Sequence, residues 1–338
     1  MSKLLPKRAL SDVFFNQFLD GGALFPLLKF VQNDYTLCME LRGNNVVIYY
    51  RGGLLYKIDD KENGNFKIYY NKNYKENKQN KKANLVEIKT VSDAVNEIPW
   101  HKQDMDIYFS KKNKLEREFQ QLIERENNYS GNVSHVTDYF ILDIEYAFNE
   151  NDKEQDEEDN LSARFDMLGV KWLSTPKGRK NPNDLPIAFI EVKYGDGAIT
   201  GDAGVSKHID DYIKFRSDID KMKQLATDMQ KMFNQKHRLG LISSYKDKDI
   251  NITINHEDVE FIFVFANHDP DKTAIKNEFN IAIEKWKSTD YLKEIKVAKA
   301  SEMGYGLFAY KGNVSLYPTI EEYVDPNHVN DVISDPNI

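Results

Sequence analysis

The chain has few of the features that mark specialised classes of protein. Cysteine occurs once, at Cys38, which excludes a disulfide framework and a zinc site built from cysteines. Ten prolines and 17 glycines in 338 residues are too few for a collagen-like or low-complexity chain. No apolar run approaches the length of about 18 residues that a membrane span needs, and Asp12, Asn16 and Asp20 interrupt any signal peptide. We therefore expect a cytoplasmic protein with no membrane partner.

The composition suits a folded protein of one large or two modest domains. Hydrophobic residues make up 41% of the chain and aromatic residues 12%, enough for a sizeable core. A net charge of -8 argues against coating nucleic acid by charge alone. Residues 1–110 carry 16 Lys and Arg against 13 Asp and Glu, whereas the remainder carries 30 against 41. That acidic excess fits either a solvated surface or carboxylates gathered around metal.

Residues 1–110 are predicted to form a smaller α+β domain. Helical spacing of apolar residues over 9–32 predicts one or two short helices. Four strand-like runs follow, and the glycine and asparagine turns between them predict an antiparallel meander, at 35–41, 45–50, 54–58 and 66–70. The polar segment 72–82 holds five lysines and is either a solvated loop or a phosphate-contacting one.

Residues 111–338 show a different order of elements. The pattern predicts a helix, three strands, a long helix, a strand, a helix and two last strands, at 111–127, 137–148, 163–173, 187–194, 205–233, 260–266, 274–286, 295–298 and 306–310. An acidic run at 150–159 is expected to be an exposed connection. This order predicts an α/β sandwich around a mixed sheet, with a crossover helix between the third and fourth strands.

The third strand of this part carries a pair of charges that need an explanation. Glu191 and Lys193 stand two apart and therefore project to one face, roughly 6.5–7 Å apart. Charges at the end of a buried strand are costly unless they are paired. Asp166 on the preceding strand can grip a divalent cation together with Glu191, and Lys193 can hold the attacking water. The alternative is a surface Glu–Lys pair on an edge strand with Asp166 solvated.

Glu-x-Lys by itself is a weak motif, since it occurs four times, at 76–78, 87–89, 191–193 and 294–296. Only the third copy has an apolar strand before it, an Asp-bearing strand upstream, and a glycine loop with a long helix after it. The copy at 87–89 is the closest rival, because Asp59 and Asp60 precede it. No long amphipathic helix is expected directly after that rival.

In this arrangement the chain resembles the PD-(D/E)XK nuclease superfamily over about residues 111–267. That family has a helix, three strands, a helix and a strand, with Asp on the second strand and Glu-x-Lys on the third. Asp166, Glu191 and Lys193 match those positions. Phe165 stands where the family has Pro, so the match is incomplete there.

Some branches of the family carry Gln-x-x-x-Tyr near the start of the following helix. This chain has His208 in the place of Gln and keeps the tyrosine as Tyr212. The resemblance makes both candidates for substrate contact, with a structural histidine as the alternative.

The resemblance implies a restriction-endonuclease-like fold for residues 111–338 and a metal-dependent endonuclease that acts on DNA. Asp166, Glu191 and the backbone carbonyl of Val192 would hold Mg²⁺, for which Mn²⁺ can substitute, and Lys193 would position the water. Residues 1–110 would recognise a target or a partner. Two alternatives stay open: a nuclease-fold binding protein without catalysis, and an interaction protein whose Glu–Lys pair is structural. A dimer is compatible with either.

Two neighbouring elements offer further carboxylates. Apolar residues of the first strand are expected to share one face, which leaves Asp143 and Glu145 on the other, and Glu145 is the candidate for a further metal ligand. Glu116 and Glu118 flank the apolar stripe of the helix at 111–127. Family members often carry a metal-facing Glu on this helix, and ordinary exposed charge is the alternative for both.

Overall fold

The computed structural model describes residues 7–77, 83–111, 113–128, 137–148, 163–195, 199–201, 204–242, 250–266, 273–300, 307, 310–311, 314–315 and 318–325. These residues form a mixed α/β structure with two five-stranded sheets and one short two-stranded sheet. None of the helices in this part of the chain combines the length and apolar character that a bilayer crossing requires.

The first sheet is the predicted antiparallel meander, in the order β1-β2-β3-β4-β5. Its elements and the helices around it are α1 (Asp12–Asn16), α2 (Phe25–Asn33), β1 (Leu37–Leu41), β2 (Asn45–Tyr50), β3 (Gly53–Asp60), β4 (Phe66–Asn71), β5 (Leu85–Ile88) and α3 (Val91–Phe109). The four expected strands and the two short helices are confirmed, whereas β5 and α3 were not expected. Ser11 and Thr90 cap α1 and α3 by accepting backbone N–H groups.

The presence of α3 corrects one step of the sequence argument. A helix of 19 residues begins two residues after Lys89, so the rival Glu-x-Lys copy at 87–89 is in fact followed by a long helix. Its Glu87 lies on the edge strand β5 and pairs with Lys67 at 2.8 Å, with both side chains nearly half exposed. An exposed ion pair of this kind is an ordinary surface feature and not a chemical site.

The second sheet has the order β10-β9-β8-β7-β6, with β8, β9 and β10 parallel and β7 and β6 antiparallel to their neighbours. The elements of this part are α4 (Leu115–Asn128), β6 (Tyr139–Phe148), β7 (Ala163–Lys171), α5 (Pro176–Arg179), β8 (Leu185–Tyr194), α6 (Val205–Arg216), α7 (Ile219–Arg238), β9 (Ile254–Ala266), α8 (Thr273–Trp286), a 3-10 turn (Asp290–Glu294), β10 (Ile295–Ala300), β11 (Tyr310–Lys311), β12 (Val314–Ser315) and α9 (Ile320–Val324). The predicted mixed sheet is confirmed. The acidic run at 150–159 and most of the strand expected at 306–310 lie outside the described residues.

The long helix expected over 205–233 is wrong as a single element. The chain forms α6 and α7 in its place, with a break at Ser217 and Asp218. Asp218 has extended backbone angles, and its side chain accepts the N–H of Lys221 at 3.0 Å, which begins α7 as an N-cap. Apolar periodicity alone does not reveal such a break, because both helices keep apolar faces on the same core.

The prediction that the apolar residues of β6 share one face is also wrong in part. The register of β6 against β7 shifts between Ile141 and Asp143, which interrupts the alternation of side chains. Ile144 therefore packs with Ile141 and not with Phe140, which belongs to the opposite core. Asp143 is completely buried, so the side of β6 that carries it does not face solvent.

The described residues form three hydrophobic clusters. One lies between the second sheet and α6, α7 and α8, and one lies between that sheet and α4. The third fills the space between the first sheet and α1, α2 and α3, and it also takes Leu239 and Leu241 from the end of α7. The two sheets are therefore joined by shared packing at the carboxyl end of α7.

Candidate metal centre

The candidate site lies where β7 and β8 separate. Their pairing ends with Met167 opposite Ile190. Beyond this pair, the Val192 N–H donates its hydrogen bond to the side chain of Asp166, at 2.8 Å, and not to a main-chain carbonyl of β7. The N–H and C=O groups of one strand residue point to the same side, so the Val192 carbonyl is also directed toward Asp166.

Glu191 and Lys193 share a face of β8, as their spacing predicts. The Lys193 ammonium lies 2.8 Å from Glu191 Oε1, and His208 Nε2 on α6 lies 3.0 Å from the same oxygen. The other carboxylate oxygen of Glu191 is buried and accepts no hydrogen bond in the described part of the chain. Leaving a buried carboxylate oxygen without a partner is costly, and a bound cation would remove that cost.

Burial dominates the electrostatics of these carboxylates. It raises the pKa of Asp166 well above its usual range, and the nearby charges of Glu191 and Glu116 raise it further. Burial also raises the pKa of Glu191 to about 7, although Lys193 opposes this shift. Glu116 on α4 has its pKa raised by burial as well, again against Lys193. When all three are ionised, these carboxylates carry more charge than Lys193 offsets, so a bound cation would stabilise their ionised form. We call Asp166, Glu191, Glu116 and Lys193 the carboxylate cluster.

The structure distinguishes the two candidate glutamates of α4, which the sequence left equivalent. Glu116 faces the cluster, whereas Glu118 pairs with Arg51 of the β2–β3 turn at 3.1 Å. The same turn approaches α4 closely at Gly52, whose φ is +69° and whose Cβ, if present, would lie 2.5 Å from Cβ of Arg117. Glycine at this position therefore lets the first sheet hold α4 against the site.

Glu145 lies near the cluster but is already neutralised. Its carboxylate accepts hydrogen bonds from Arg164 and, at 2.9 Å, from Arg117. Its backbone has a φ of +57°, a conformation that an L-residue adopts at a local cost. Among the described residues, this cluster contains no three potential ligand groups that lie mutually within 4.8 Å. To act as the expected metal ligand, Glu145 would have to give up its ion pairs with Arg117 and Arg164.

The two candidates for substrate contact have different surroundings. His208 is at the cluster, against Glu191. Tyr212, one turn further along α6, is completely buried, stacks on Phe261, and donates its hydroxyl hydrogen bond to Glu294. A substrate has no access to Tyr212 in this arrangement, so the structure favours packing for this residue.

A second group of potential ligands, unexpected from the sequence, lies between the two sheets. The side chains of Cys38, Glu40 and Glu124 come mutually within 4.8 Å, and all are buried. The Lys236 ammonium already occupies this group, 2.9 Å from Glu40 and 3.8 Å from Glu124. A lysine at that position supplies the positive charge that a metal would supply, so we interpret the group as a buried ion-pair network.

No family model, no curated protein and no solved structure matches this chain. The function of the protein is therefore inferred from the geometry of the carboxylate cluster. Its buried carboxylate oxygens are the ligand type that Mg²⁺ and Mn²⁺ prefer, so the residues present fit a hard divalent cation.

Proposed function

We propose that the protein is a divalent-metal-dependent nuclease that hydrolyses phosphodiester bonds in DNA, with a restriction-endonuclease-like second part of the PD-(D/E)XK type. The observation that carries this proposal is that the carboxylates of Asp166, Glu191 and Glu116 gather around one lysine, Lys193. Lys193 offsets one of these negative charges, and a bound metal would offset the others.

The arrangement of the elements supports the same proposal. A helix, three antiparallel-connected strands, a helical crossover and a parallel strand follow one another from α4 to β9. The cluster lies near the amino end of the second strand, β7, and the carboxyl end of the third, β8, on the strands that the family resemblance implies. Fold and residues are thus consistent with each other, although fold alone does not define activity.

The roles of the individual residues follow from their contacts. Asp166, Glu191 and the Val192 carbonyl would hold Mg²⁺, which lowers the pKa of a bound water and offsets negative charge on the phosphate. Lys193 carries its ammonium beside the Glu191 carboxylate and is placed to donate a hydrogen bond to a water there. His208 holds the same carboxylate from the opposite element and limits its rotation.

The test is cleavage of supercoiled plasmid and of single-stranded DNA by the purified protein with Mg²⁺, Mn²⁺ or EDTA. We expect metal-dependent cutting that Lys193→Ala abolishes. Lys171→Ala is the matched control, because Lys171 is a similarly buried lysine of the same sheet that pairs with Glu260 at 2.5 Å, outside the cluster. Cutting that survives Lys193→Ala, or that persists in EDTA, would contradict the proposal.

Metal binding without cutting would instead favour the nuclease-fold binding protein. In that case Mn²⁺ should raise the melting temperature of the wild type and leave that of Asp166→Ala unchanged, while no substrate is cut. If Mn²⁺ changes neither melting temperature, the carboxylate cluster holds no metal and its charges are structural.

A further inference from the structure

A broad groove lies at the junction between the first sheet and α7. The amino-terminal segment 7–12, the β1–β2 turn and the exposed side of α7 enclose about 1160 Å³. This volume exceeds that of an ordinary small-molecule pocket, about 300–1,000 Å³. Five cationic residues line it, namely Lys7, Arg8, Arg42, Lys231 and Arg238. We call it the junction groove.

The two cations that α7 contributes are available to a ligand. Lys231 and Arg238 are seven residues apart on one helical face and both are exposed. Within the described residues neither has a carboxylate oxygen within 4.0 Å, and the Arg238 guanidinium rests over the Phe15 ring at 4.7 Å. Exposed lysines elsewhere have such partners, for example Lys285 with Asp210 at 2.6 Å.

Three acidic residues line the groove, and two of them, Asp228 and Asp60, accept hydrogen bonds from the protein itself, whereas Asp12 lies in the first turn of α1. Asp228 accepts the backbone N–H groups of Arg8 at 2.6 Å and of Ala9 at 3.3 Å. Asp60 accepts from the Ser11 hydroxyl at 3.3 Å and from the Glu62 N–H at 2.9 Å. These two carboxylates hold the walls in place, and Asp228 also offsets part of the charge of Lys231. The five cationic residues of the groove still outnumber its three acidic ones.

The strand β6 connects the floor of the groove with the surroundings of the carboxylate cluster. Arg8 and Arg42 both pair with the buried carboxylate of Asp143 on β6. Arg42 also donates to the carbonyl of Ile144. The next residue, Glu145, binds the Arg117 and Arg164 guanidinium groups beside the cluster. Cationic side chains therefore follow β6 from the groove to the candidate metal centre.

We propose that the junction groove binds the phosphodiester backbone of a nucleic-acid strand whose scissile bond lies at the carboxylate cluster. This inference rests on the proposed function and adds the surface that holds the substrate. Lysine, arginine and side-chain amides are the usual contacts of phosphate and sugar, and Asn44, Asn45 and Asn234 supply the amides here. The continuity with the cluster favours nucleic acid over an acidic peptide.

The experiment measures binding of fluorescein-labelled 20-mer DNA, single- and double-stranded, by fluorescence anisotropy from 50 to 300 mM NaCl, with the full chain in EDTA. The test variant is Lys231→Gln/Arg238→Gln. The control is Lys287→Gln/Lys293→Gln, which removes the same charge from exposed lysines outside the groove that pair with Glu284 and Asp290. Melting temperatures confirm that both variants fold.

We expect the groove variant to bind about tenfold more weakly and the control to bind as the wild type does. The slope of log K against log salt should fall by about 0.7–0.9 for each phosphate that the variant no longer neutralises, and hence by about 1.4–1.8 in the double variant. Equal weakening in both variants would mean that bulk charge acts and would overturn the proposal. Competition by poly-glutamate as strong as that by unlabelled DNA would also overturn it, in favour of an acidic peptide.

Failure of the groove proposal and failure of the nuclease proposal give different results. If the wild type binds DNA through the groove and cuts nothing with Mg²⁺ or Mn²⁺, the groove stands and the nuclease activity fails. If the wild type cuts DNA, and the groove variant both cuts and binds it equally well, the groove fails and the nuclease stands. No measurable DNA binding by the wild type overturns the groove.

Discussion

At the scale of single residues, Asp166 combines a structural and a functional task. Its carboxylate ends the pairing of β7 with β8 by accepting the Val192 N–H, and it adds negative charge to a buried cluster. The first task needs a hydrogen-bond acceptor, whereas the second needs a charge. An asparagine keeps the acceptor and removes the charge, so the two tasks can be separated by one substitution.

In EDTA, Asp166→Asn should raise the free energy of unfolding by about 1 kcal/mol at pH 8. Burial raises the pKa of Asp166 in the folded state above its unfolded value, so the wild type loses stability as pH rises from the unfolded pKa through the folded one. The gain of the variant should therefore grow between pH 5 and pH 8. Urea denaturation at several pH values measures it.

The same variant should lose the stabilisation that Mn²⁺ gives the wild type, because an amide is a poorer ligand than a carboxylate. Asp290→Asn is the control, since Asp290 is exposed and pairs with Lys293 on the surface. A variant that is less stable than the wild type at pH 8 in EDTA would show that the charge of Asp166 is already compensated within the protein.

At the scale of elements, the break between α6 and α7 sets the direction of α7. From this break α7 carries Lys231 and Arg238 to the junction groove and Lys236 to the buried network. Asp218 caps the new helix through the Lys221 N–H. One polar side chain thus helps to orient residues that serve two different parts of the protein.

We expect Asp218→Ala to lower the free energy of unfolding by about 1 kcal/mol, because the first turn of α7 loses its cap. Asp218→Asn keeps a capping oxygen and should lose less than half of that amount. Asp220→Ala, which removes an exposed charge from the same turn, controls for the helix dipole. Equal losses for the alanine and asparagine variants in chemical denaturation would assign the effect to the Asp218–Lys221 ion pair instead.

At the scale of the whole molecule, long-range ionic contacts join the two sheets. Glu40 of β1, Glu124 of α4 and Lys236 of α7 meet where solvent has no access. Burial raises the pKa of Glu124, and Lys236 opposes that shift. Such a network adds little net stability compared with apolar packing, but removing one member leaves uncompensated charge. The sheets should therefore unfold together in one transition.

Lys236→Met is expected to lower the free energy of unfolding by about 3–5 kcal/mol, since two buried carboxylates lose their ammonium partner. The triple variant Lys236→Met/Glu40→Gln/Glu124→Gln removes the charges together and should recover most of the loss. Circular dichroism and tyrosine fluorescence during urea unfolding measure stability and cooperativity. Two separated transitions in the wild type, or no recovery in the triple variant, would contradict the structural role of the network.

Local sequence pattern predicted several parts of this protein correctly. Alternation and turn residues predicted the meander, and the spacing of Glu191 and Lys193 predicted their shared face, because each depends on residues adjacent in the chain. Local pattern failed where a single feature interrupts a period, as at the bulge in β6 and the cap at Asp218. Neither a one-residue bulge nor a single capping side chain is visible in the spacing of apolar residues on which these predictions depend.

The sequence by itself determined which residue types can carry chemistry and which strands they lie on. Only the tertiary structure decided which of them meet: Glu116 faces the cluster and Glu118 does not, and Asp143 is taken by arginines of the amino-terminal part. It also decided that Lys236 reaches Glu40, 196 residues away. These choices depend on how sheets and helices pack, and packing joins residues whose separation along the chain leaves no local pattern.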